Sequence, residues 1–223
     1  MDDVMIRILE RPQLENTIMV EGLPGIGLVG KLAADHMLDE LDAKKFAELY
    51  SYYLPPQINI KQDNTVDLVN MSFYYKKGDK NDLIILLGDF QGITPDSQYL
   101  IADRTLDFAE EFNVGRIFTL GGLGTGAITK TPKVFGAATS KELVEELSRN
   151  GVIFRGNGAI FGASGLLLGL GMLRGMEAAC LMGETHGQII DAKSAESVLI
   201  VLTKILGIEI DMAALEEKAK KTE

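Results

Sequence analysis

Short apolar segments of strand length, glycine-bearing turns and helical segments alternate along this chain, and that alternation limits the possible folds more than any other feature. Residues 17–22 and 83–87 are short, largely apolar runs, each ending at or followed by a glycine. Such runs are typical of strands covered on both faces. Residues 28–41 and 192–206 instead carry apolar side chains at helical spacing. The pattern favours an α/β domain with a mostly parallel or mixed central sheet flanked by helices.

The same pattern extends over the rest of the sequence. Further strands are predicted at residues 45–50, 66–75, 116–120, 133–139 and 178–182. Further helices, the third entered through a loop, are predicted at residues 99–112, 140–149, 159–172 and 212–221. A length of 223 residues fits one large domain better than two small ones. We therefore expect a single α/β domain over residues 1–210 and a charged C-terminal helix or tail over residues 211–223.

The charge balance disfavours two classes of partner. The chain has 22 Lys and Arg against 32 Asp and Glu, a formal net charge of −10. Nucleic acids and anionic membrane surfaces attract concentrated positive charge, so we expect neither as a partner. No apolar run approaches the length of about 18 residues that a membrane helix needs. Residues 1–17 do not resemble a signal peptide. These observations predict a cytoplasmic protein.

Catalytic and metal-binding chemistry has few candidates in this sequence. Cys180 is the single cysteine, which excludes an internal disulfide, and His36 and His186 are the two histidines. Zinc sites built from His and Cys would therefore lack ligands. No nucleophile and base can be paired from the sequence, so we assign no catalytic residue, no metal and no cofactor. This favours a protein that is not an enzyme.

Glycine-bearing turns follow several predicted strands, and they offer the main candidates for a ligand site. In an open α/β sheet the carboxyl ends of the strands lie along one edge, where ligand crevices form. The alternative is that these glycines only allow tight turns and close packing of helices on strands. The candidate ligand-binding residues are Gly25, Gly27, Gly30, Lys31, Asp89, Gly122 and Gly124.

The first of these loops partly matches two nucleotide-binding motifs. Residues 25–30 satisfy G-x-G-x-x-G, and with Lys31 they also satisfy G-x-x-x-x-G-K. Asp89 follows an apolar run and would take the place of the acid that assists the metal in the second motif. However, Leu32 stands where that motif needs Ser or Thr, and Pro24 precedes the first glycine. Nucleoside or nucleotide binding at residues 25–31 is therefore kept as the alternative function.

Apolar residues are abundant for a chain of this charge. Hydrophobic residues make up 46% of the chain, nine of the residues being Met. Such an excess indicates either a well-filled core or apolar contacts between subunits. Composition alone does not choose between the two.

Residues 21–30, EGLPGIGLVG, together with the helix behind them, resemble the opening motif of the proteasome assembly chaperone family. Residues 83–89, the Gly121–Gly122 pair and residues 162–167 follow in the family's order, so the resemblance covers about residues 16–207. It implies a phosphorylase-like α/β fold, assembly into homo-oligomers or heterodimers, and binding to proteasome α-subunits. Of these assemblies we expect a homo-oligomer here. The resemblance implies no catalytic residues.

One feature departs from that family. Some archaeal members carry a C-terminal hydrophobic–tyrosine–any tail that docks into the α-ring, whereas residues 220–223 here read KKTE. This departure argues against direct docking by the C-terminus and leaves a scaffold or partner-recruiting role open. Our leading hypothesis is a non-enzymatic oligomeric chaperone or scaffold that binds proteasome α-subunits or other assembly factors. Apolar patches would hold the copies together, and an acidic rim would select the partner.

Overall fold

The computed structural model describes residues 3–222. Eleven strands lie within this range: β1 (Val4–Ile8), β2 (Ile18–Gly22), β3 (Lys44–Ser51), β4 (Ile58–Ile60), β5 (Val66–Leu68), β6 (Met71–Lys76), β7 (Leu83–Gly88), β8 (Arg116–Gly124), β9 (Val134–Ala138), β10 (Ile153–Phe154) and β11 (Glu177–Thr185). The same range holds six α-helices: α1 (Val29–Leu41), α2 (Pro95–Glu111), α3 (Lys141–Arg149), α4 (Gly162–Leu173), α5 (Ala192–Leu206) and α6 (Ala213–Thr222). None of these helices is long and apolar enough to cross a membrane.

Nine of the strands form one mixed sheet in the order β1-β3-β6-β7-β2-β8-β11-β9-β10. Strand β2 lies near its centre and runs parallel to β7 and β8, and β8 runs parallel to β11. Strands β1, β3, β6 and β7 pair antiparallel, and β9 is antiparallel to β11. The predicted α/β fold with a flanked sheet is confirmed, and its sheet is mixed.

Helices cover both faces of this sheet, and side chains alternate between the two cores. In β11, Ala178 and Cys180 face the core beneath α2 and α4, whereas Ala179 and Leu181 face the core beneath α1 and α5. This is the alternation that a strand between two helical layers requires. It explains why the central strands read as continuous apolar runs.

One strand prediction needs correction, and the edge strand β1 was missed. Residues 66–75 were expected to form one strand, but they divide between β5 in a separate two-stranded sheet and β6 in the main sheet. The break lies at Asn70, whose side-chain amide donates to the Leu68 carbonyl oxygen at 3.0 Å and turns the chain. Strand β1 was not predicted, because it pairs at the edge with β3 and buries fully only Val4.

The helix starts follow their capping residues. Helix α2 begins at Pro95 rather than at residue 99, because Thr94 caps it and exchanges hydrogen bonds with Ser97. Helix α3 is capped by the Ser140 hydroxyl, while Glu142 lies in its first turn. Both caps satisfy backbone N–H groups that a helix start leaves unpaired.

The C-terminal segment packs against the body of the domain. Leu215 and Ala219 of α6 are buried in the core that α1 and α5 share. His36 of α1 is also buried, and its Nε2 lies 2.7 Å from the Asp211 carbonyl oxygen just before α6. His36 therefore joins α1 to the chain that leads into α6.

Candidate functional site

Gly30 and Gly22 allow helix α1 to lie directly on the sheet. A Cβ atom at Gly30 would be 2.0 Å from the Leu120 carbonyl oxygen of β8. A Cβ atom at Gly22 would be 2.2 Å from the Cβ of Ala34 in α1. Atoms cannot approach this closely, so both positions require glycine for the observed packing.

The other predicted glycines gather around the turn of residues 26–28 that enters α1. Gly27 has φ +64°, and its carbonyl oxygen accepts the Asp191 N–H at 2.9 Å. A Cβ at Gly122 would be 2.4 Å from the Ile26 carbonyl oxygen, and one at Gly124 would be 3.7 Å from Cγ2 of Ile26. The structure thus brings three predicted glycines together at the carboxyl edge of the sheet. Each of them contacts the protein itself.

Gly25 differs from these positions. A Cβ atom there would meet nothing within 4 Å, and its backbone is extended at φ −152°. The position is therefore open towards solvent and is not required to be glycine by packing within the chain.

Lys31 and Asp89 lie beside β7, on the flank of α1 opposite its contact with β8. The Lys31 ammonium donates to the two carboxylate oxygens of Asp35 at 2.6 and 2.7 Å, and it lies 3.5 Å from Asp89. These groups line a polar cavity of about 210 Å³, which Lys45 and Asp67 also border. Lys31 is therefore already neutralised by carboxylates, and the structure places it apart from Gly122 and Gly124.

Glu21 is a buried acid that the sequence analysis did not single out. Its side chain has no exposed surface at the centre of the sheet. One carboxyl oxygen accepts the Leu23 N–H at 2.9 Å, and the other accepts the Ser164 hydroxyl of α4 at 3.0 Å. Burial raises the pKa of Glu21 to about 7, against the lowering effect of these two hydrogen bonds. The acid links β2 to the first turn of α4.

The structure also shows the surroundings of Cys180 and of the groups that could bind a metal. Cys180 is buried, and burial raises the pKa of its thiol to about 12, so the reactive thiolate is scarce at neutral pH. Within residues 3–222, no three or more His, Cys, Asp or Glu side chains are grouped as metal ligands.

A projecting hairpin exposes an apolar surface. Strands β4 and β5 pair only with each other, and all six of their residues are exposed. Ile58 pairs with Leu68, and Ile60 pairs with Val66, so the four aliphatic side chains share one face. We call residues 58–68 the apolar arm. Isolated two-stranded hairpins are marginally stable in water, and contiguous exposed apolar surface marks interaction sites.

The protein thus combines a mixed α/β sheet and packed glycine turns with an exposed apolar arm. A sequence profile of the PAC2 family matches residues 19–223, and the chain belongs to that family.

Solved structures and a further protein sequence resemble this chain over most of their own length. PbaB of Pyrococcus furiosus, an archaeal proteasome activator, is 47% identical with a TM-score of 0.95, covering 100% of this chain and 96% of that one. PbaA of the same organism, an archaeal homolog of proteasome-assembly chaperone, is 32% identical with a TM-score of 0.84, covering 98% and 92%. An uncharacterized protein of Methanocaldococcus jannaschii is 41% identical over 98% of this chain and 87% of its own length.

Proposed function

We propose that this chain is a non-enzymatic scaffold of proteasome assembly or activation in the cytoplasm. It works as a homo-oligomer that binds proteasome α-subunits or other assembly factors. The similarity to PbaB, an archaeal proteasome activator, and to PbaA, an archaeal homolog of proteasome-assembly chaperone, supports this class of partner.

The observation that carries the proposal is the apolar arm. Ile60 is 72% exposed and Val66 is 59% exposed, and they face each other on the outer face of a hairpin that the main sheet does not include. These side chains lie outside the buried core, so only a binding partner would cover them. We assign the arm to the α-subunit contact.

Replacing Ile60 with aspartate tests this assignment. A carboxylate in the middle of an apolar contact leaves a charge buried without a partner, so we expect binding to α-subunits to weaken by at least about tenfold. Biolayer interferometry with immobilised α-subunits measures the change. Because Ile60 is exposed, the melting temperature should not move.

The matched control is Ile200→Asp, which places the same charge on an exposed isoleucine of α5. It should bind α-subunits as the unaltered chain does. If Ile60→Asp and Ile200→Asp bind equally well, the arm is not the α-subunit contact.

Nucleotide binding at residues 25–31 is the alternative, and the arrangement of its residues argues against it. A phosphate would have to compete with Asp35 and Asp89 for Lys31, and Gly27 and Gly30 are fitted against the protein. We expect isothermal titration calorimetry with ATP or GTP and Mg²⁺ to give no binding heat. Binding that disappears in Lys31→Ala would instead favour the alternative.

A further inference from the structure

A cavity of about 540 Å³ opens between helix α4 and the loop of residues 155–160. Its wall is mostly apolar and includes Phe135, Leu168 and Met182, of which the first two are buried. Small-molecule sites have volumes of this size and combine an apolar wall with a few polar groups. Neither the glycine turn of residues 26–28 nor the apolar arm lines this cavity.

The cavity lies on the face of β9 that its neighbouring helix leaves open. Helix α3 buries Leu143 and Leu147 in the same core as Val134 of β9. Side chains of a strand alternate between its faces, so Phe135 points to the opposite side, towards α4. The space between β9 and α4 on that side is the cavity.

Of the described residues that line the cavity, Arg155 alone carries a charge. Its guanidinium carbon lies 4.4 Å from the centroid of the Phe135 ring, and this stacking holds the group in place. Within residues 3–222 the guanidinium makes no ion pair and no hydrogen bond, whereas Arg116 and Arg174 each bind two or more carboxylates. The N–H donors of a stacked guanidinium lie in its plane, so those of Arg155 are free to meet an acceptor.

The loop that follows Arg155 adds further donors to the rim. The backbone N–H groups of Gly156, Asn157 and Gly158 donate to no acceptor in the part of the chain that the structure describes, and neither does the Asn157 side-chain amide. A Cβ atom at Gly156 or Gly158 would meet nothing within 4 Å, so packing within the chain does not require glycine at either position. Glycine at such positions allows the backbone to approach a ligand closely.

The charge around the cavity favours an anion although the whole chain has a net charge of −10. Carboxylates are absent from the described residues of its wall. Glu184 follows Met182 by two residues on the same face of β11, but its carboxylate accepts the Lys133 N–H at 3.4 Å, and Lys133 adds a positive charge beside it. An anion at the rim would therefore meet unpaired donors and no opposing carboxylate in the wall.

We infer that this cavity binds a small organic acid, a molecule with an apolar body and one carboxylate. The body would lie against Phe135, Leu168 and Met182, which removes apolar surface from water. The carboxylate would accept hydrogen bonds from the Arg155 guanidinium, whose fork of donors matches two carboxylate oxygens, and from the N–H groups of residues 156–158. The site is separate from the apolar arm, so it requires neither the α-subunit contact nor the homo-oligomer.

Isothermal titration calorimetry with two acids, 2-naphthylacetate and octanoate, tests the inference for an aromatic and an aliphatic body. We expect at least one of them to bind with a dissociation constant of about 1 mM or below, as for a ligand of this size that fits its site. The neutral analogue of the acid that binds, 2-naphthylacetamide or octanamide, has the same body without the charge. It should bind at least about tenfold more weakly.

Arg155→Gln separates recognition of the carboxylate from that of the apolar body. It should weaken binding of the acid at least about tenfold and leave binding of the amide unchanged. Arg155 is exposed, so the melting temperature should not move. Ala137→Phe, at a half-buried position in the cavity wall, should instead weaken binding of the acid and the amide alike. Arg149→Gln is the matched control, because it removes the same charge from an exposed position in the last turn of α3, and it should bind the acid as the unaltered chain does.

Three results would overturn the inference. The first is that neither acid binds at millimolar concentration. The second is that acid and amide bind the unaltered chain equally well, and the third is that Arg155→Gln binds the acid no more weakly than Arg149→Gln does. None of these results bears on α-subunit binding, so the organic-acid site and the proposed function can fail separately.

Discussion

Replacing Gly30 with valine is expected to lower the free energy of unfolding by about 3 kcal/mol or more, because helix α1 would have to move away from the sheet. The new Cβ would lie 2.0 Å from the Leu120 carbonyl oxygen, and a backbone atom in a central strand cannot give way as a flexible side chain can. For a chain of this length we expect the melting temperature to fall by about 10 °C. Circular dichroism during heating and in a urea titration measures both quantities.

Gly25→Val is the matched control for this loss. It adds the same side chain five residues earlier, in the loop before α1, at a position where the Cβ meets no atom within 4 Å. Its stability should therefore remain close to that of the unaltered chain. If the two variants prove equally stable, Gly30 is not required for the packing of α1 on the sheet.

Replacing Glu21 with glutamine is expected to stabilise the protein at pH 8 and to have little effect at pH 4.5. The folded chain raises the pKa of Glu21 from an ordinary value of 4.5 to about 7, so it binds the proton more tightly than the unfolded chain. The stability this group contributes is fully present below pH 4.5 and is lost as the pH rises to about 7. The loss amounts to about 3 kcal/mol, which the neutral amide avoids while still accepting the hydrogen bond of Leu23.

Urea denaturation of Glu21→Gln and of the unaltered chain from pH 4.5 to pH 8 tests this expectation. The difference between their free energies of unfolding should grow with pH and level off above about pH 7. Glu142→Gln, in the exposed first turn of α3, removes one carboxyl without burial and should show no such rise. A constant difference for Glu21→Gln across the range would mean that Glu21 titrates normally despite its burial.

The central strands could be predicted from the sequence because burial on both faces leaves a local mark. Strand β7 is buried along Leu83 to Leu87 and reads as a continuous apolar run. Strand β1 alternates only weakly, because its edge position leaves most of it half-exposed and its partner β3 lies about 40 residues later. Strands β4 and β5 have three residues each, too few for a period to emerge.

The approach of the glycine turns at one edge of the sheet was predictable, but their contacts were not. The sequence placed Gly27, Gly122 and Gly124 at one edge of the sheet, because parallel strands end there. The packing of Gly122 on Ile26 could not be predicted, because it depends on how closely the loop that enters α1 approaches β8. Glu21 was missed for a similar reason, since the hydroxyl that bonds it belongs to Ser164, 143 residues away. Such long-range pairs leave no periodic signal in the chain.

We propose that copies of this chain assemble and that the assembly binds proteasome α-subunits. Native mass spectrometry of the purified protein, alone and mixed with α-subunits at micromolar concentration, tests it most directly. We predict a discrete homo-oligomer in the first spectrum and a complex of that oligomer with α-subunits in the second. A monomer that remains without an α-subunit in the mixture would contradict the claim.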